Sequence, residues 1–182
     1  MATPLPSELP EKLVPLSWLI GSWVGVGLGT YPTIDDFRYG QEVRFTWDGR
    51  PFLNYFSETW ILDDEGNRIR PGASEFGFWR PQDNNGVEVL LVHSTGHLET
   101  LHGSVEVVGI QDATITGARC TLRTDVVARS ETAKQYDAGE RLYGLIEGDL
   151  GYAFDMAAVG QSMTNHLSAR LAKVADEPIE GA

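Results

Sequence analysis

The chain has 182 residues, a length that fits one domain, and 42% of them are hydrophobic, which excludes an intrinsically disordered protein. Its 14 Lys and Arg stand against 26 Asp and Glu, a net charge of −12 that would repel nucleic acid and anionic lipid surfaces. The first residues lack the pattern of a secretory signal, and no apolar run approaches the ~20 residues that span a bilayer. We therefore expect a cytoplasmic protein whose partners include neither nucleic acid nor membrane.

The two ends of the chain differ from its middle. Residues 1–12 and 175–182 are rich in proline and charge and show no apolar period, so they are predicted to be flexible. Residues 13–174 contain no linker and no internal repeat, which indicates a single domain. Within it, Leu13, Leu16 and Leu19 have helical spacing in a segment too short to be stable alone, so we expect a helical plug packed on something larger.

From residue 40 onward the pattern is typical of β-strands. Val43, Phe45 and Trp47 alternate with polar residues, and Asp48-Gly49 supplies a hairpin turn. Further strands are predicted at residues 52–62, 74–80, 87–93, 98–108, 113–122, 123–129, 141–147, 150–156 and 166–171. About ten short strands with turns between them and almost no helix favour an all-β fold, an antiparallel meander closed into a barrel. Barrels of this size usually hold a small ligand.

The four histidines are the first candidates for chemistry. His93, His97 and His102 lie within ten residues of each other, which suggests a zinc site, but on a strand His102 has the opposite parity from the other two. We therefore interpret the trio as polar residues near a hairpin tip. His166 stands apart, and one imidazole is all that a heme needs, because the porphyrin supplies four nitrogens. Taken by itself, a lone strand histidine also fits a structural or surface role.

Other catalytic motifs are absent from the sequence. The glycines of residues 21–27, GSWVGVG, lack the spacing and the lysine of a phosphate-binding loop. We interpret them as a place where a strand bends while Trp23 fills one end of the barrel. No Gly-x-Ser-x-Gly elbow occurs, and the single cysteine, Cys120, lies in a strand pattern that indicates a structural role.

Several segments together resemble the nitrobindins, a family of small heme proteins. Residues 21–27 look like the family's G-x-W-x-G-x-G motif, and residues 31–34 and 49–55 follow at the expected distance. Segments similar to family segments then occur in the same order, at residues 76–80, 87–96, 132–134 and 156–161. Residues 166–169 correspond to the segment in which family members carry the proximal histidine. The resemblance implies a ten-stranded antiparallel barrel of the lipocalin and fatty-acid-binding-protein type.

The same resemblance implies a cofactor and an activity. It implies heme b with His166 as the axial ligand of the iron, Thr33 in contact with the heme and Lys134 beside the porphyrin, although a surface position for Lys134 stays equally open. It also implies reversible binding of nitric oxide at ferric iron and isomerisation of peroxynitrite to nitrate, with the iron carrying the reaction. Two alternatives remain, a heme-free carrier of fatty acid or another apolar molecule and a purely structural or partner-binding barrel. A homodimer is also left open.

Overall fold

Alternating apolar and polar side chains produce ten strands in the computed structural model, which describes residues 9–175. The strands are β1 Gly21–Tyr31, β2 Ile34–Thr46, β3 Leu53–Leu62, β4 Arg68–Pro81, β5 Gly86–His93, β6 His97–Gln111, β7 Thr114–Arg129, β8 Tyr136–Ile146, β9 Asp149–Ala158 and β10 Thr164–Val174. Each strand pairs antiparallel with its neighbours in the chain, and β1 pairs with β10, so the sheet closes. The predicted ten-stranded antiparallel meander barrel is confirmed.

The strands begin earlier and run longer than the sequence predicted. Strand structure starts at Gly21, and β2 starts at Ile34 rather than at residue 40. The predicted break between residues 122 and 123 is wrong, because β7 is one strand of 16 residues. A usual strand has about five or six residues, so the sequence pattern of this long strand was divided into two predicted strands. The predicted flexible ends fall largely on residues 1–8 and 176–182, which lie outside the described part, so they stay predictions.

A 3₁₀ helix, Glu11–Leu19, closes one end of the barrel. Leu13, Leu16 and Leu19 are fully buried. Their spacing puts them on one side of the helix, since a 3₁₀ helix has about three residues per turn. The indole Nε1 of Trp23 donates to the carbonyl oxygen of Leu19 at 2.8 Å and ties the helix to β1. The predicted helical plug is confirmed, and no helix in residues 9–175 is long and apolar enough to cross a membrane.

The antiparallel order sorts the turns between the two ends of the barrel. The hairpins that follow odd-numbered strands all lie at the end opposite the 3₁₀ helix, which we call the upper end. Thr33 lies in the β1–β2 turn and Lys134 in the β7–β8 loop. His166 lies close after the β9–β10 turn. The three residues singled out by the family resemblance therefore belong to the same end of the barrel.

The pairing between β7 and β8 is incomplete. These two strands pair over Ala118–Arg123 of β7 and Glu140–Leu145 of β8. Toward the upper end β7 continues to Arg129, and β8 is already a strand from Tyr136, but no ladder pairs join these segments. We call this gap the seam.

Two of the glycines of β1 leave room for aromatic rings. A Cβ on Gly27 would collide with the ring of Tyr39, and one on Gly29 would collide with the ring of Phe37. Both rings come from β2, which pairs with β1. The expectation that Trp23 fills an end of the barrel is confirmed, since its side chain is 1% exposed.

Shortening a plug residue tests this part of the fold. Leu16→Ala removes a fully buried side chain and should lower the free energy of unfolding by ~2–5 kcal/mol. Val14→Ala is the matched control, because Val14 is 44% exposed in the same helix. Urea denaturation followed by circular dichroism gives both values, and equal losses in the two variants would contradict the plug.

Candidate functional site

A β-bulge at the start of β10 sets the direction of the His166 side chain. Asn165 pairs with Asp155 of β9, and Leu167 pairs with Phe154, the residue just before it, so His166 has no partner across the ladder. In a regular strand His166 would face away from the side on which Leu167 packs against the core. A bulge adds one residue and re-aims a side chain, which explains why strand parity could not assign the face of His166.

Aromatic rings surround the imidazole of His166. The ring centroids of Tyr31, Phe37 and Phe154 lie 5.5, 6.1 and 6.1 Å from that of His166, each in an edge-on arrangement. The hydroxyl of Tyr31 accepts from the backbone N–H of Ala158 at 2.9 Å, which fixes this ring against the β9–β10 turn. The imidazole is therefore held by side chains from β1, β2 and β9.

One hydrogen bond determines the protonation state of His166. Its Nδ1 lies 2.9 Å from the carbonyl oxygen of Thr30. A carbonyl only accepts, so Nδ1 carries the proton and Nε2 keeps its lone pair. Burial lowers the pKa of His166, which favours the neutral ring. Nε2 has no hydrogen-bond partner among residues 9–175, so the ring is prepared to ligate a metal through that atom.

Thr33 and Lys134 are exposed at the same end of the barrel. No hydrogen bond in the described residues joins Thr33, Lys134 or His166 to one another; what they share is their place at the upper end. The backbone of Lys134 is tied to the barrel, because its carbonyl oxygen accepts from Nε2 of His97 at 2.9 Å.

A cluster of charged side chains inside the barrel was not expected from the sequence. Arg141 donates to both carboxylate oxygens of Glu75 at 2.8 Å and to Glu99 at 3.0 Å. His93 completes the group as an ion-pair partner, with Nδ1 3.2 Å from Glu75 and Nε2 3.0 Å from Glu99. We call these four residues the interior charge cluster. Hydroxyl groups of Tyr55, Thr124 and Tyr136 also donate to its carboxylates.

The interior charge cluster stays ionised because its charges balance. Burial opposes ionisation of Glu75, Glu99 and His93, but the ion pairs and hydrogen bonds outweigh burial. The pKa values of Glu75 and Glu99 are therefore lowered, and the pKa of His93 is raised to about 9. At neutral pH two positive and two negative side chains give the cluster no net charge, which is the condition under which buried charges are tolerated.

Phe154 connects the interior charge cluster to His166. The guanidinium carbon of Arg141 lies 4.6 Å from the centroid of the Phe154 ring, a cation–π contact. The same ring packs edge-on against the imidazole of His166. The cluster thus supports the wall of the His166 site from inside the barrel.

Strand parity contained a signal for this cluster. Glu99 lies two residues from buried Leu101, and Arg141 lies two residues from buried Tyr143, so both charges occupy inward positions. His93 ends β5 and His97 begins β6, so the hairpin bend between them, and not parity along one strand, brings their rings within 6.3 Å, whereas His102 is exposed beside Asp125. Among residues 9–175, no three His, Cys, Asp or Glu side chains are arranged to hold a metal ion by themselves.

Comparisons with known proteins agree on the type of barrel. The family model described as "THAP4-like, heme-binding beta-barrel domain" matches residues 12–173. A protein named peroxynitrite isomerase from Nocardioides sp. is 47% identical over 173 residues, which cover 93% of this chain and 99% of the relative. A ferric nitrobindin-like protein from Kineococcus radiotolerans is 43% identical over 96% of this chain and 99% of its own length. The crystal structure of Rv2717c from M. tuberculosis superimposes with a TM-score of 0.82 at 35% identity, covering 92% of this chain and 99% of that one.

The ionisation of His93 makes the stability of the fold depend on pH. A pKa raised from 6.5 to about 9 means that His93 stabilises the fold fully below pH 6.5, and that this contribution, ~3 kcal/mol, is lost as pH rises through 9. His93→Gln should therefore flatten the decline in the free energy of unfolding between pH 6 and 9.5, measured by urea denaturation. The exposed His102→Gln is the control and should keep the decline of the unmodified protein. Parallel curves for all three proteins would contradict the ionised cluster.

Proposed function

This chain belongs to the family of THAP4-like, heme-binding β-barrel domains, and on that premise we propose that it holds heme b at the upper end of the barrel through His166. The observation that carries the proposal is the hydrogen bond from Nδ1 of His166 to the carbonyl of Thr30. It leaves a neutral imidazole with the lone pair on Nε2, the form that ligates iron. The aromatic side chains around the ring also suit a flat, largely apolar cofactor.

Each residue of the site has a separate task in this proposal. The carbonyl of Thr30 fixes the tautomer of His166 and makes its Nε2 a stronger ligand. The rings of Tyr31, Phe37 and Phe154 limit rotation of the imidazole. Thr33 would contact the heme from the β1–β2 turn. Lys134 would lie beside the porphyrin and bring a positive charge to it from the β7–β8 loop, where the residue is exposed.

We further propose that the heme-loaded chain isomerises peroxynitrite to nitrate and binds nitric oxide reversibly. The heme, when bound, supplies a ferric iron at which both small molecules react. Support comes from the relative of 47% identity named peroxynitrite isomerase, which this chain matches over nearly its whole length. The protein itself would contribute the fixed imidazole of His166 and the aromatic rings around it.

The alternative of a fatty-acid carrier gains no support from the interior of the barrel. An apolar carrier for carboxylates would need a free cation inside the barrel, and Arg141 is the obvious candidate because it is 2% exposed. Arg141, however, is already bonded to both Glu75 and Glu99. A second carboxylate would have to displace one of these partners and leave it buried and unpaired, which is costly.

The cytoplasmic location and the homodimer stay predictions.

Titration with hemin tests the proposed ligand. The unmodified protein should take up one hemin per chain and develop the Soret band of histidine-ligated heme. His166→Ala should lose that band and bind hemin at least about tenfold more weakly, since even the partners of a ligand contribute about 10–100-fold to metal affinity. Circular dichroism should remain that of a β-barrel in the variant.

His102→Ala is the matched control, because this histidine is exposed on β6 beside Asp125. It should give the spectrum of the unmodified protein. An unchanged heme spectrum in His166→Ala would refute the assignment of the ligand. A protein that takes up no hemin but binds a fluorescent fatty acid would favour the carrier.

The proposed activity has its own test. Hemin-loaded protein mixed with peroxynitrite should accelerate its decay and raise the yield of nitrate over nitrite, and His166→Ala should fall back toward the rate of free hemin. Stopped-flow absorbance and anion chromatography measure the rate and the yield. A hemin-loaded protein that leaves both at their uncatalysed values would contradict the activity while leaving the heme site intact.

A further inference from the structure

The loop that carries Lys134 is not fixed by the β-sheet. It spans residues 130–135 and joins the two strand segments that border the seam, Thr124–Arg129 of β7 and Tyr136–Gly139 of β8. The β7 segment pairs with β6, and the β8 segment pairs with β9, but neither pairs with the other. Backbone without a ladder partner opens more easily than paired backbone, so the position of this loop depends on other contacts.

Side chains close the lower end of the seam. The backbone N–H of Gly139 donates to the hydroxyl oxygen of Thr124 at 2.8 Å, in place of a ladder bond. The hydroxyls of Thr124 and Tyr136 each donate to Glu99 at 2.9 Å. These bonds join β6, β7 and β8 at the lower end of the seam. The loop at the upper end must therefore be held by other contacts.

His97 contacts the loop from inside the barrel and holds it in place. Its side chain comes from the first residue of β6, and the residue is 9% exposed. Nε2 donates to the carbonyl oxygen of Lys134 at 2.9 Å, while the hydroxyl of Thr95 lies 3.0 Å from Nδ1 and can donate to it. The ring also packs edge-on against Tyr136 on the far side of the seam, with centroids 5.5 Å apart. His97 therefore contacts the loop and the β8 segment at once.

The remaining bonds of the loop to other turns are made by main-chain atoms, and the guanidinium of Arg129, the last residue of β7, also donates to the carbonyl oxygen of Ala133 at 3.2 Å. The N–H of Ser130 donates to the carbonyl of Gly96 at 2.9 Å, and the N–H of Val159 donates to the carbonyl of Gln135 at 3.1 Å. They hold the two ends of the loop. The bond from His97 reaches Lys134 itself, one residue from the end of the loop and at the position implied to face the heme.

We propose that His97 is a positioning residue of the cofactor site, which holds the Lys134 loop across the seam and so keeps Lys134 at the heme. The proposal rests on the proposed heme function, because Lys134 has a role there only when heme is bound. The hydrogen bond from His97 to the Lys134 loop is present in the protein without heme, so its effect on the loop can be measured separately.

Two substitutions at His97 separate its hydrogen bond from its bulk. His97→Leu keeps an apolar side chain but removes the donor, and His97→Gln keeps an N–H donor close to the position of Nε2. Within residues 130–135 the amides of Ser130 and Ala133 donate to carbonyl groups, and their hydrogen–deuterium exchange in the heme-free protein should speed up about tenfold for His97→Leu, as the loss of one hydrogen bond allows. His97→Gln should restore most of the protection, and the exposed His102→Leu should change nothing there.

Heme release tests whether His97 acts through Lys134. His97→Leu should speed the release of hemin several-fold while the Soret band of the His166-ligated heme keeps its position. In a Lys134→Met background, His97→Leu should have little further effect, because two residues that act as one unit are not additive. Additive effects on release would overturn the proposal, and so would unchanged exchange in residues 130–135.

The outcomes also separate the two proposals. If the unmodified protein takes up no hemin, the heme function fails, while the exchange experiment still decides whether His97 holds the loop. If His97→Leu does not fold, Thr95→Val replaces it, because this change removes only the hydroxyl next to Nδ1. Thr95→Val should raise exchange in residues 130–135 by a smaller factor than tenfold, and no rise would overturn the proposal.

Discussion

The imidazole of His166 donates from Nδ1 to the carbonyl oxygen of Thr30, and the chemistry assigned to the upper end of the barrel depends on that bond. Without it, either nitrogen could carry the proton and the ring could turn. The bond in turn depends on the bulge in β10, which turns His166 out of its regular position. It also depends on β1, since Thr30 is brought beside the bulge by the pairing of β1 with β10.

The interior of the barrel changes character from the plug to the upper end. Near the 3₁₀ helix it is packed with apolar side chains such as Leu16, Trp23 and Phe45. Above them lies the interior charge cluster, whose ion pairs join β4, β5, β6 and β8. The desolvation of four charges is offset only if all partners stay in place, so the cluster restricts how far these strands can move. Through Phe154 that restriction reaches His166.

Local sequence patterns predicted the fold, whereas the resemblance to a family, and no local pattern, pointed to His166, Thr33 and Lys134. Alternation and turn residues predicted the strands, and the spacing of Leu13, Leu16 and Leu19 predicted the plug. The continuity of β7 was missed because neither local turn signals nor usual strand lengths report where a barrel needs a long strand. The position of His166 follows from a bulge, which depends on the register of β9 against β10 and not on residues 163–171 alone.

The most direct measurement is a crystal structure of the hemin-loaded protein at neutral pH. The account predicts continuous electron density from Nε2 of His166 to the iron, with Nδ1 still within hydrogen-bonding distance of the Thr30 carbonyl. Iron bound to another side chain, or an imidazole of His166 turned away from the porphyrin, would contradict it.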